Sequence, residues 1–201
     1  MPDGRPGGWG VGFCETDEQE EDGWLSGSRE VFPDRQVARC RFRAELFYGH
    51  GTDNAFDEAV YLVFATLDIA FDDPGAYSRV IARDECDLLD SRVADRVEKH
   101  TPVAYLVGQA WFGGMRFIAD ARALIPRSPL AELIAEGCAP FVSHTPERIL
   151  DLCCGGGCIG ILAAHQFPLA RVDLADLSAD ALALARENVS LHTLADRVSL
   201  G

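Results

Sequence analysis

Ten residues, Asp151-Leu-Cys-Cys-Gly-Gly-Gly-Cys-Ile-Gly160, constrain this chain more than any others. They join an apolar run, Arg148–Cys153, which reads as a buried strand, to a stretch of helical periodicity reaching about His165. The glycines therefore fall on a strand-to-helix turn, where they let the backbone bend sharply and let a ligand approach closely. The helix start offers free N–H groups and the positive end of a dipole. A second strand over Ala170–Asp176 follows, then a helix over Ser178–Val189 with Ser178 as N-cap, then a third strand starting at Arg197–Leu200. Strands alternating with helices of this length indicate βαβ units and a parallel sheet. Asp176 closes the second strand 21 positions after Gly155, where a carboxylate can accept hydrogen bonds from two ribose hydroxyls. The layout suits an adenosine-bearing cofactor at the carboxyl ends of parallel strands.

Two cofactors compete for the loop. Gly155, Gly157 and Gly160 spell G-x-G-x-x-G, the dinucleotide fingerprint. Read from Asp151, the same loop is D-x-C-x-G-x-G, which suits S-adenosylmethionine. The glycine pattern alone does not choose between them, and a glycine-rich turn without a ligand is a third reading. Cys153 and Cys154 sit where a helix N-terminus lowers a thiol pKa, but no His is close in sequence, and packing explains them better. A zinc site would need a second Cys or His cluster at suitable spacing, so no metal is expected.

Upstream the texture differs. Phe56, Ala59, Val60, Val63, Phe64 and Leu67 form one apolar helical face, with Asp53 or Asn54 as N-cap. A second helical stretch follows Pro74, with Val80, Leu88, Leu89, Val93 and Val97 as core candidates. Residues 41–104 thus read as a helical domain. Two apolar runs around Gly113-Gly114, within Trp111–Ile118, signal a β-hairpin, because a two-residue primed turn needs positive φ. Ala123-Leu124-Ile125 extends that sheet on this reading, and Leu130, Leu133 and Ile134 mark a short helix. Residues 1–40 read as a poorly ordered tail: Glu15–Asp22 holds six acids in eight positions. The net charge of −14 excludes a sequence-independent nucleic-acid binder, which needs a basic face, and suits a basic partner. No run of about 18 apolar residues suggests a membrane helix, and a cytoplasmic protein is expected.

Three blocks together resemble the N(5)-glutamine methyltransferases: Gly49–Val63 (GHGTDNAFDEAVYLV), Phe112–Ile134 (FGGMRFIADARALIPRSPLAELI) and Ile149–Ile161 (ILDLCCGGGCIGI). The Gly-His-Gly-Thr-Asp version at 49–53 and the Pro-Arg-Ser-Pro version at 126–129 look like the branch that modifies a glutamine of large-subunit ribosomal protein three. The sister branch acts on peptide chain release factors. The resemblance covers about residues 42–201. It implies an α/β fold: an N-terminal helical substrate-recognition domain, a linking hairpin and, over 105–201, a partial Rossmann-like class I methyltransferase domain with its first two to three parallel strands. It implies S-adenosylmethionine as cofactor and a basic ribosomal protein as partner, with no direct nucleic-acid contact and no membrane. Asp151, Cys153, Cys154, Gly155, Gly156 and Gly157 would form the loop around the methionine side. Asp176 would hold the ribose, and Pro126 and Arg127 would lie at the cofactor edge.

Three departures qualify this. Cys154 stands where the family commonly has Thr and Gly156 where it commonly has Ser, which removes two hydroxyls and predicts weaker cofactor binding. The family's Asn-Pro-Pro-Tyr motif, which clamps the substrate amide, is missing. The two asparagines, Asn54 and Asn188, precede Ala55 and Val189. The sequence therefore reads as an N-terminal piece of the enzyme with no catalytic residue of that motif, inactive by itself. The alternatives left standing are the release-factor branch, an NAD-binding enzyme and a non-catalytic partner-binding fragment.

Overall fold

The computed structural model describes residues 29–30, 46 and 54–201. The acidic run at 15–22, the Gly49–Asp53 motif and the candidate cap Asp53 lie outside the described residues. The elements in chain order are β1 (Arg29–Glu30), α1 (Ala55–Thr66), a 3-10 turn (Ala76–Ser78), β2 (Val80–Ile81), α2 (Arg83–Glu98), α3 (Val103–Val107), β3 (Gln109–Phe112), β4 (Met115–Ile118), α4 (Leu130–Ala135), β5 (Arg148–Leu152), α5 (Cys158–Gln166), β6 (Arg171–Ala175), α6 (Ala179–Leu191) and β7 (Val198–Leu200).

Helix α1 starts where Asn54 Oδ1 accepts the Asp57 N–H at 2.9 Å, with Asp57 and Glu58 in the first turn facing the positive dipole end. Its buried face is Glu58, Ala59, Leu62, Val63 and Phe64. Phe56, expected in the core, is 42% exposed, as are Val80 at 57% and Leu88 at 45%. At Phe56 the apolar pattern hides an ion pair on the other side of the helix. Glu58 and Arg96 of α2 meet through two hydrogen bonds, 2.9 and 3.2 Å, both side chains almost fully buried. That pair turns α1 so that Glu58 and Leu62 face inward. Leu62, Val63, Phe64, Leu67, Leu89 and Val93 form the helical core, and Val103 of α3 joins it.

The hairpin β3–β4 pairs Phe112 with Met115 around Gly113 (φ 56°) and Gly114 (φ 76°), the left-handed pair that the Gly-Gly turn requires. It packs on the second core through Phe112 and the fully buried Phe117. The sheet does not continue into 123–125 as expected. The N–H and C=O of Ile118, at the end of β4, are taken by the Asn188 side chain rather than by a further strand. Only Ile125 of that tripeptide is buried.

Strands β5, β6 and β7 form a parallel sheet in that order, crossing over through α5 and α6. Register sets Ile149 against Val172 and Val172 against Val198. These side chains, with Leu174 and Leu200, face α5 and α6 and build the main core with Ile161, Leu162, Ala185 and Val189. β5 is not the buried strand the apolar run suggested: Leu150 and Leu152 are 64% and 69% exposed. An apolar run of this kind reads as covered on both faces. Among the described residues the helices cover only the face carrying Ile149 and Asp151. The arrangement is an α/β fold of the class I methyltransferase type, with a helical unit ahead of it.

Candidate functional site

The site begins where β5 stops. Cys153 has φ 61°, Gly155 φ 54° and Gly157 φ 78°, so the chain passes three times through the left-handed region between strand and helix. Gly157 caps α5, and a Cβ there would stand 2.9 Å from Leu174 Cδ1. At Gly160 a Cβ would collide with Leu174 and come within 3.0 Å of Asp151 Oδ2. The third glycine of G-x-G-x-x-G thus serves helix-on-strand packing, which any tightly packed βα unit needs. This explains why the pattern could not select a cofactor.

The two acids of the motif hold different positions. Asp151 Oδ2 accepts the Gly160 N–H at 2.8 Å, tying strand end to helix. Burial pushes its carboxyl above the usual range, and Asp176 adds to this. Asp176 instead accepts from the backbone on both oxygens: Ser178 N–H at 2.9 Å on Oδ1 and Gly155 N–H at 2.8 Å on Oδ2. The backbone donor of Ser178 first, then that of Gly155, hold its carboxyl below the usual range. It is a charged, oriented acceptor at pH 7, with lone pairs left for a diol.

A cavity of about 520 Å³ opens between two walls. One wall is the loop, Cys153, Cys154, Gly155 and Gly156, followed by Cys158 and Ile159 of α5. The other is the segment 122–128, including Pro126 and Arg127. Asp176 and Ser178 stand at the edge. Of the residues singled out from sequence, Cys153, Cys154, Gly155, Gly156, Asp176, Pro126 and Arg127 are brought together here. Asp151 and Gly157 do not line the cavity and stand behind the loop. Sequence reasoning missed Tyr105, whose hydroxyl donates to the Ala123 carbonyl at 2.8 Å, and Arg122. Arg122 is gripped by Asp120 and by Glu187 of α6. An Asp-x-Arg turn was the available signal for Arg122; nothing in the spacing marks Tyr105.

Cys154 and Cys158 are packing groups by their environment. Burial pushes Cys154 up to about 11 and Cys158 up to about 12, with Asp151 adding to both, so neither is a thiolate at pH 7. Cys153 is exposed. Among the described residues no three His, Cys, Asp or Glu are grouped to hold a metal ion, and no helix is long and apolar enough to cross a membrane.

Comparison with known proteins places this geometry. Residues 134–200, the segment holding the loop, Asp176 and the parallel strands, match the family described as methyltransferase small domain. The ribosomal protein uL3 glutamine methyltransferase of Bordetella pertussis is 48% identical over 164 residues, 78% of this chain and 54% of that protein. Those of Burkholderia pseudomallei and Xanthomonas campestris are 46% and 48% identical, again over 79% and 78% of this chain and 52% and 51% of theirs. The chain therefore spans about half the length of these relatives. The resemblance drawn from the three sequence blocks holds: the chain is similar to the ribosomal-protein branch of the glutamine methyltransferases, and its residues 134–200 carry a methyltransferase small domain.

Proposed function

We propose that this chain contributes the cofactor-binding part of an S-adenosylmethionine-dependent protein-glutamine methyltransferase acting in the cytoplasm on a large-subunit ribosomal protein. The observation that carries this is the Asp176 carboxylate, fixed by Gly155 and Ser178 N–H groups at the edge of the glycine-loop cavity. The donor set fits the cofactor. Asp176 offers two oriented oxygens for the ribose hydroxyls. The loop wall has backbone rather than side chain where a ligand approaches, since a Cβ at Gly155 would take up space toward Ala123. Pro126 and Arg127 form the opposing edge. The similarity to glutamine methyltransferases favours this cofactor over NAD, and Gly160 has a packing role that accounts for the dinucleotide pattern.

When bound, S-adenosylmethionine supplies a methyl group already activated by its sulfonium. The residues of this chain orient rather than activate. Asp176 and the loop would hold the cofactor between the walls at 122–128 and 153–156. The acceptor amide nitrogen is a poor nucleophile because its lone pair is delocalised. It must be held in line with the methyl group and hydrogen-bonded as charge develops. An Asn-Pro-Pro-Tyr clamp for that step is not in these 201 residues, because neither Asn54 nor Asn188 precedes a proline. The helical unit, rich in acids, is the surface we assign to a basic protein substrate.

Calorimetric titration of the chain with S-adenosylmethionine and with NAD tests the cofactor; binding of NAD alone overturns the proposal. Methyl transfer to ribosomal protein uL3 and to a release factor, by a form that carries the clamp, tests the branch. The 201 residues alone are expected to bind cofactor without turnover.

A further inference from the structure

We propose that Asn188 is the positioning residue that sets the separation of the two cavity walls. Its side chain is fully buried on α6. Oδ1 accepts the Ile118 N–H at 2.7 Å, and Nδ2 donates to the Ile118 carbonyl at 3.2 Å and to the Gly156 carbonyl at 3.0 Å. Only one orientation of the amide gives two donors to two carbonyls and an acceptor to an N–H, so the network fixes which atom is nitrogen.

The partners explain the consequence. Gly156 belongs to the loop wall. Ile118 is the last residue of β4, and the chain leaving it becomes the 122–128 wall. One primary amide thus joins the helix, the hairpin and the glycine loop. The neighbouring Glu187 repeats the link at the surface, binding Arg122 of that second wall at 2.6 and 3.0 Å. Replacing Asn188 takes the side-chain partner from three partly buried backbone groups, and each then draws the walls toward a different arrangement. The core itself does not need an amide here. Ala181, Leu184, Ala185 and Val189 bury the same helix face with apolar groups. This inference rests on the reading of the cavity as an S-adenosylmethionine site.

The test compares Asn188→Asp with Val189→Ala in the intact chain. Asp keeps the shape but sets an oxygen against two carbonyls. Val189 is buried on the same helix and makes none of these side-chain bonds. In Asn188→Asp, amides at 153–157 and 118–125 should exchange about tenfold faster or more, and the S-adenosylmethionine dissociation constant should rise by about tenfold. Val189→Ala should lower the melting temperature yet leave both within about twofold. A variant Asn188→Asp that melts lower but keeps loop protection and affinity overturns the proposal. Should that variant not fold, the wild-type chain decides. The Asn188 side-chain NH₂ resonances should be protected from exchange and should move when S-adenosylmethionine is added, and unprotected, unmoving resonances overturn it. If the wild type binds no S-adenosylmethionine, the cofactor reading falls, while the exchange comparison still judges the role of Asn188.

Discussion

Asp151 and Asp176 occupy similar places in the motif, each at or near a strand end, and do different work. Asp151 is half-buried behind the loop and bonded to Gly160, which makes it a brace. Asp176 sits at the cavity edge with both oxygens fixed and charged, which makes it a contact. Asp176→Ala should therefore weaken S-adenosylmethionine binding at least about tenfold while leaving the chain folded, because two charge-assisted bonds to backbone and the diol acceptors are lost together. Isothermal titration and a thermal melt of the same sample check both halves. The sequence displayed the two acids and their spacing but not this division. Spacing places a side chain along the strand, and what takes its oxygens is decided by which backbone N–H groups the turn presents.

At the scale of elements, contacts between the loop, α5, the sheet and the hairpin decide the site. Gly160→Ala would drive a methyl group into Leu174 and against Asp151 Oδ2, forcing α5 off the sheet. It should destabilise by about 1–3 kcal/mol, read from urea unfolding, and loosen the loop with it. The hairpin is held against α6 in part by His192, whose ring meets that of Phe117 at a tilt of 42° with centroids 4.7 Å apart and whose Nε2 bonds the Arg116 carbonyl at 3.0 Å. Burial, more than any neighbour, lowers the His192 pKa from its ordinary 6.5; the Arg116 carbonyl opposes the shift. The unfolded chain then binds a proton here more readily than the folded one. The stability His192 supplies is present above the ordinary value and is lost as pH falls from about 6.5 toward the lowered one. Melting temperature should drop between pH 7.5 and pH 5.5, and His192→Gln should flatten that drop; an unchanged slope in the variant refutes this.

For the whole molecule, two cores meet through the small cluster of Ala104, Ala110, Ala119 and Ile125, and through Tyr61, whose hydroxyl donates to the Gln109 carbonyl. The helical core depends on its buried Glu58–Arg96 pair. Glu58→Ala takes a carboxylate partner from a buried guanidinium and should destabilise by up to about 3–5 kcal/mol in denaturant unfolding, while cofactor affinity stays near wild type in the folded fraction because the cavity lies elsewhere. A large loss of affinity at unchanged stability would place Glu58 in the site. The sequence by itself determined the helix after Asn54, the Gly-Gly hairpin, the βαβ alternation and the strand–loop–helix with Asp176 after it. Each of these rests on local rules: side-chain period, capping and positive φ. Tertiary structure alone decided that Ala123–Ile125 is a cavity wall rather than a strand, that Phe56 faces out and Glu58 in, and that Asn188 joins both walls. Those outcomes depend on hydrogen bonds between residues 38, 70 and 32 positions apart. No local period records such pairings, since a buried polar group is tolerated only where a distant partner satisfies it.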